Sequence, residues 1–220
     1  MDLENDFKLG VVIPYYKTGR IRETLMKELF ELIVSQIIWI DYVEVCIVED
    51  GTNSTWLKNK WTDSFHTHYI GLDENKGIST ARNTGIDFLL SKGCNYLIFI
   101  DSDDYIESDY FIKIYEAWKK EKRLYYFTDF EILDKIKPRE GLKERITGIV
   151  LHRSLLENAR FNESIRYAED VDFNDRYLRD KLTEPYYIDT VYHYNFGIDK
   201  KCLSYQAQLE RSDGQNTNGQ

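Results

Sequence analysis

An α/β protein built on a largely parallel sheet is predicted by three features of the sequence. Short apolar runs alternate with longer stretches of helical period through the first half of the chain. The runs are nearly continuous in Val, Ile and Leu, as strands buried on both faces require. Polar and acidic residues stand directly after them, where the carboxyl ends of parallel strands receive ligands.

Leu9–Pro14 is the first strand, ended by its proline. Ile21–Gln36 follows as a helix, with Ile21, Leu25, Leu29, Leu32 and Ile33 on one face. Val43–Val48 is the second strand and Thr67–Leu72 the third. Ser79–Ser91 has helical period through Ala81, Ile86, Leu89 and Leu90, with Gly93 as its stop. Tyr96–Ile100 is the next strand. Beyond it the alternation loosens: Tyr110–Lys120 is a helix and Leu124–Leu133 a strand. Lys135–Arg145, with Pro138 and Gly141, is a charged loop, either solvated or folded over an anion as a lid. Ala168–Leu182 is a helix and Tyr186–Phe196 a strand. Residues 211–220 lack apolar anchors and are expected to be disordered.

The 220 residues suit one domain, and a 42% apolar composition supplies a sizeable core. A net charge of −9 disfavours a nucleic-acid binder. No apolar run approaches the ~18 residues of a membrane span, and the acidic N-terminus lacks the apolar core of a signal peptide. Cys46, Cys94 and Cys202 are odd in number and widely spaced, which suits a reducing cytoplasm better than a disulfide framework.

Asp101-Ser102-Asp103-Asp104 follows the Tyr96–Ile100 run, so several carboxylates emerge together at a strand end. Oxygen donors of this kind suit Mg²⁺ or Mn²⁺, which bridge protein carboxylates to substrate phosphates. Three close carboxylates repel unless a cation offsets them, although they also suit a turn or a helix cap. Other phosphate-handling classes lack their signatures: there is no GxGxxG after the first strand and no GxxxxGK[ST]. An EF-hand loop begun at Asp101 would need glycine where Ile106 stands.

Taken in order, the motifs resemble a family 2 glycosyltransferase of the GT-A fold. Val11-Val12-Ile13-Pro14-Tyr15-Tyr16 is similar to the family's opening strand, and Ile47-Val48-Glu49-Asp50-Gly51-Thr52 to its VDDGS segment. Residues 74–85, ENKGISTARNTG, resemble ENxGxxxARNxG closely. Ile100–Asp104 resembles the DxDD metal motif, and Tyr167-Ala168-Glu169-Asp170-Val171-Asp172-Phe173 the later ED segment. The resemblance spans roughly residues 9–200. It implies a Rossmann-like sheet flanked by helices and a single domain over 1–205. About 9–105 would form the nucleotide-sugar half and 106–205 a smaller acceptor half, with 206–220 as a tail.

The resemblance also implies roles. Asp50 would accept a hydrogen bond from the donor base, with Pro14 and Tyr16 lining the base pocket or packing at the strand end. Arg82 and Asn83 would reach the ribose or diphosphate, or else buttress the sheet edge. Asp101 and Ser102 would contact the donor. Asp101 and Asp103 would hold Mn²⁺ or Mg²⁺, with His193 either a further metal ligand or a structural residue. Asp170 would be the base that deprotonates the acceptor hydroxyl, with inversion at the anomeric carbon, the alternative being a helix cap. The implied partners are a nucleotide-diphospho-sugar, UDP-linked by family habit, and a glycan or lipid-linked glycan acceptor. Such an enzyme would work in the cytoplasm or peripherally at the inner face of the membrane. The alternative is a non-catalytic nucleotide-sugar-binding module of the same fold. A sugar-1-phosphate nucleotidyltransferase is disfavoured, because Tyr15–Arg20 does not supply its GxGTR pattern. Glu49 in place of the first aspartate of VDDGS, and Lys17 in place of the asparagine after the opening tyrosine, depart from the family pattern.

Overall fold

The computed structural model describes residues 6–52, 66–132 and 145–195. Within them the strands are β1 (Leu9–Tyr15), β2 (Val43–Glu49), β3 (Thr67–Gly71), β4 (Tyr96–Phe99), β5 (Tyr105–Ile106), β6 (Tyr125–Ile132), β7 (Ile149–His152) and β8 (Tyr187–Tyr194). They form one sheet in the order β3-β2-β1-β4-β7-β6-β8-β5. The block β3-β2-β1-β4 is parallel, with Leu9 level with both Val43 and Tyr96. β7 runs antiparallel to both β4 and β6, and β8 lies parallel to β6. The sheet is therefore mixed but mostly parallel, and strands from both halves of the chain share it.

Pro14 is tolerated inside a central strand for a specific reason. Val12 O accepts from Ile100 N at 3.1 Å, so the backbone polar groups of Val12, and two residues later those of Pro14, face the β4 side. The β1–β4 pairing ends at Val12↔Phe99, so the missing N–H falls where no partner strand remains. Tyr15 O faces the other way and accepts from Asp50 N at 2.8 Å, which extends the strand one residue beyond the expected end.

Among the described residues the α-helices are α1 (Arg20–Ile37), α2 (Ile78–Ser91), α3 (Tyr110–Lys120) and α4 (Glu169–Phe173). One core lies between the sheet and α1 with α3, joining Leu9, Val11, Ile13 and Tyr15 to Met26, Leu29, Ile33, Phe111 and Ile114. The other packs α2 through Ala81, Ile86 and Leu89 on Val12, Cys46, Val48 and Phe99. Every residue of β1 and β2 is consequently buried, Glu44 and Glu49 included. At Gly85 an added Cβ would lie 2.6 Å from Val12 Cγ1, so the glycine sets how closely α2 approaches β1.

Several expectations need correction. β5 and β7 were not foreseen, because two and four residues carry no readable period. The single helix expected over Ala168–Leu182 is instead the short α4 followed by a π-helical turn, Asn174–Leu178, with Arg179 N bonded to Asn174 O at 2.8 Å. Ala168 enters α4 at φ 58°, a left-handed conformation that side chains rarely adopt. The loop expected over Lys135–Arg145, apart from Arg145, and the tail fall outside the described residues.

Candidate active site

The carboxyl ends of β1, β2 and β4 open on one rim. A cleft of about 720 Å³ lies there, lined by Pro14, Tyr16, Arg22, Asp50, Lys76 and Gly77, and closed on its far side by residues 163–166. Asp50 is 4% exposed and organises the floor. Its Oδ1 accepts from Lys76 N at 2.6 Å and its Oδ2 from Gly77 N at 2.8 Å, so the carboxylate fixes the chain where it enters α2. Each oxygen keeps a further lone pair for a donor on a bound ring.

Gly51 makes that cradle fit. It sits at φ 77°, and a Cβ there would lie 2.2 Å from Asn75 N and 2.3 Å from the Glu74 carbonyl carbon. Both neighbours are backbone and cannot swing aside. Gly51→Ala is expected to lose about 1–3 kcal/mol from the left-handed backbone alone. It should also pull Lys76 and Gly77 off Asp50, which urea denaturation and nucleotide titration would both register. Glu49, the departure from the family pattern, turns away from the cleft: Tyr69 Oη and Thr52 Oγ1 both donate to its carboxylate. The longer side chain reaches β3, which an aspartate would not.

The Asp101–Asp104 turn is gripped from three sides. Arg82 Nη2 donates to Asp101 Oδ1 at 2.9 Å, and Arg22 Nη2 lies 2.9 Å from Asp103 Oδ2. Asp104 is buried, accepting from Tyr192 Oη and, at 2.8 Å, from Asn195 N. Tyr192 Oη also accepts from Asp101 N at 3.0 Å, so one phenol at the end of β8 orients the turn. Burial, then the Asp103 and Asp101 charges, push the Asp104 carboxyl well above the usual range. Burial and then the Asp104 charge likewise raise the Tyr192 phenol.

Arg82 couples this turn to the later acidic segment. It is 2% exposed, donates from Nη1 to Glu169 Oε1 at 2.7 Å, and stacks over Phe161 at 5.2 Å. Burial opposes its charge, but Asp101, Glu169 and Asp170 outweigh burial and raise its pKa. Asp170 follows Glu169 in the first turn of α4, and its Oδ1 accepts from Val171 N at 2.9 Å. Burial and then the Glu169 charge, partly opposed by Arg82, push the Asp170 carboxyl up to about 6. It does not cap α4, whose cap position is Ala168.

Pro14, Tyr16 and Asp50 thus line the cleft, and Asp103 borders it through Arg22. Four of the residues expected to touch donor or metal are placed away from the cleft lining, and for Arg82, Asn83 and His193 this is the structural alternative named above. Arg82 is turned inward onto Asp101 and Glu169 rather than outward to a ligand. Asn83 is spent on the cleft wall: its Nδ2 donates to Phe161 O and Glu163 Oε1, and its Oδ1 accepts from Phe161 N. Ser102 is 3% exposed and does not line the cleft. His193 points to the sheet face opposite Tyr192, with Nε2 2.8 Å from Glu107 and Nδ1 3.1 Å from Glu131, and so does not join Asp101 and Asp103. Arg22, Lys76 and the 163–166 wall were missed by sequence reasoning, although the ENKG segment flagged Lys76's neighbourhood.

Among the described residues no group of three His, Cys, Asp or Glu side chains is arranged to hold a metal. The described residues therefore build no closed protein cage. Asp101 and Asp103, with side chains 22% and 18% exposed, instead fit an ion of the Mg²⁺ class, which binds one or two carboxylates and completes its shell with water and substrate phosphates.

The model of glycosyl transferase family 2 matches residues 10–199. Glycosyltransferase GlyA of Streptococcus pneumoniae is 31% identical over 113 residues, 50% of this chain and 15% of that protein. The dTDP-rhamnosyl transferase RfbF of Shigella flexneri is 40% identical over 70 residues, 32% of this chain and 23% of RfbF. The chain thus aligns with under a quarter of either relative. Crystal structures of S. aureus TarS 1-349, including complexes with UDP and UDP-GlcNAc, superpose with a TM-score of 0.71 at 17–18% identity. The UDP complex covers 86% of this chain and 60% of that one, and shares the fold.

Proposed function

We propose, from the premise that this chain belongs to glycosyl transferase family 2, that it transfers a sugar from a nucleoside-diphosphate donor to a hydroxyl of a glycan or lipid-linked glycan. The single observation that carries the reading is the buried Arg82 joined to both Asp101 and Glu169, which holds the donor-side turn beside Asp170. Donor charge and acceptor proton would then be handled at one rim.

The donor base enters the cleft between Tyr16 and the Asp50 cradle, and its diphosphate extends toward Arg22 and the Asp101–Asp103 turn. Asp101 and Asp103 would hold Mn²⁺ or Mg²⁺, which when bound supplies charge neutralisation for the departing diphosphate. Asp170 takes the acceptor proton as the hydroxyl attacks the anomeric carbon, giving inversion. Its raised pKa suits a carboxylate that must accept a proton near neutrality. The minor teichoic acid biosynthesis protein GgaB of Bacillus subtilis, 20% identical over 231 residues that span 94% of this chain, supports a glycan-type acceptor.

A thermal-shift series of UDP-, dTDP- and GDP-sugars with and without Mn²⁺ tests this reading, since a ligand selective for the native state raises Tm. One nucleotide sugar should stabilise the protein in a metal-dependent way, and Asp103→Ala should remove the metal dependence. A response identical in the two proteins would refute the role given to Asp103.

A further inference from the structure

We propose that Arg22 and the donor's divalent ion are alternative counter-charges for Asp103: Arg22 holds the carboxylate in the free protein and turns onto the donor diphosphate when the donor arrives. The inference rests on the donor site set out above and adds a residue that the family motifs do not include.

Arg22 rises from the first turn of α1, between the opening strand and the cleft. Its Nη2 lies 2.9 Å from Asp103 Oδ2, and the two side chains are 15% and 18% exposed. The same arginine lines the cleft beside Pro14, Tyr16 and Asp50. Its situation differs from that of Arg82, which is 2% exposed, covered by Phe161 and paired with two carboxylates. Arg22 lines the cleft itself, so a rotation of its side chain exchanges one anion for another.

Charge then dictates the exchange. A guanidinium keeps its proton at any working pH, so it cannot escape a second cation by neutralising. A divalent ion taking up Asp103 would repel Arg22 strongly in so poorly solvated a place. The donor brings its own anion into the cleft at that moment, and the planar guanidinium fork matches phosphate oxygens. The permanent cation thus protects the acidic turn from self-repulsion when empty and adds to donor affinity when filled.

The test needs no catalysis. The full chain, Arg22→Gln and Arg22→Met are titrated with Mn²⁺ alone, followed by electron paramagnetic resonance of the free ion. Without metal, calorimetry compares UDP with uridine, dTDP with thymidine and GDP with guanosine. The variants are expected to half-saturate at lower Mn²⁺ than the wild type. They should bind the preferred nucleoside diphosphate about ten- to a hundredfold more weakly and the matching nucleoside equally well. Mn²⁺ binding no tighter than wild type overturns the proposal, as do equal losses for nucleoside and diphosphate. Loss of the native near-ultraviolet circular dichroism in both variants would make Arg22 a structural strut and also overturn it. A wild-type chain that binds none of the three diphosphates removes the donor reading itself. One that binds a diphosphate while the variants bind it unchanged removes the role of Arg22 alone.

Discussion

Asp170→Asn is expected to slow sugar transfer by about 10²–10⁴-fold while donor binding stays intact. The amide keeps the shape of the side chain and its hydrogen bond from Val171 N, but cannot take a proton from the acceptor. Burial and the neighbouring Glu169 charge hold the carboxyl at about 6, so the wild type should lose kcat/KM as pH falls through about 6 rather than through the ordinary carboxylate range. Stability should move the other way. A folded-state pKa above the unfolded value of 3.8 means that the native protein binds this proton more tightly than the unfolded chain does. The fold is then unpenalised below about pH 4, and the penalty grows until pH passes about 6. Removing the charge should therefore stabilise the protein at pH 7.5, by at most about 3 kcal/mol. Urea denaturation of both proteins at pH 4.5 and 7.5 measures it. Unchanged transfer by the variant would remove the base role from Asp170, and donor binding without transfer in the wild type would favour a binding module over an enzyme.

How far this site was legible depends on what each residue type reveals by itself. Acidic groups after buried strands are visible as such, and parallel topology gathers them on one edge, so Asp50 and Asp103 could be assigned to one rim. Direction on a helix is not visible. Arg82 and Asn83 sit in the first turns of α2, close to the rim, yet both face inward, onto Asp101 with Glu169 and onto Phe161 respectively. A strand poses the same problem in binary form. Tyr192 and His193 must face opposite sides of β8, and the aromatic run 192–194 does not say which side holds the acidic turn. The phenol holds it, and the imidazole goes to Glu107 and Glu131. Arg22 was hidden for a third reason, because a pair between α1 and the turn after β4 leaves no local pattern. The short β7 closes the sheet between β4 and β6 for similar reasons: its four residues are placed by their neighbours and not by their own period.

Arg82→Ala should be the most destabilising single change at this rim, costing about 3–5 kcal/mol, because it strands two acids around a buried void. The guanidinium meets Asp101 at 2.9 Å and Glu169 at 2.7 Å from separate nitrogens, with Phe161 covering its face. Lysine cannot reproduce this, since one ammonium on a flexible stem does not present a fork to two carboxylates. Arg82→Lys should therefore recover only part of the loss. Adding Glu169→Gln to Arg82→Ala should restore part of the stability at neutral pH, a coupling that a double-mutant cycle isolates. A deficit with no coupling to Glu169 would mean that Arg82 acts by packing on Phe161 and not by joining the two acidic segments. Transfer activity separates the two cases further. If the ion pairs align the donor turn with Asp170, Arg82→Lys at full fold should still lose transfer, whereas a packing role predicts that its activity follows its folded fraction.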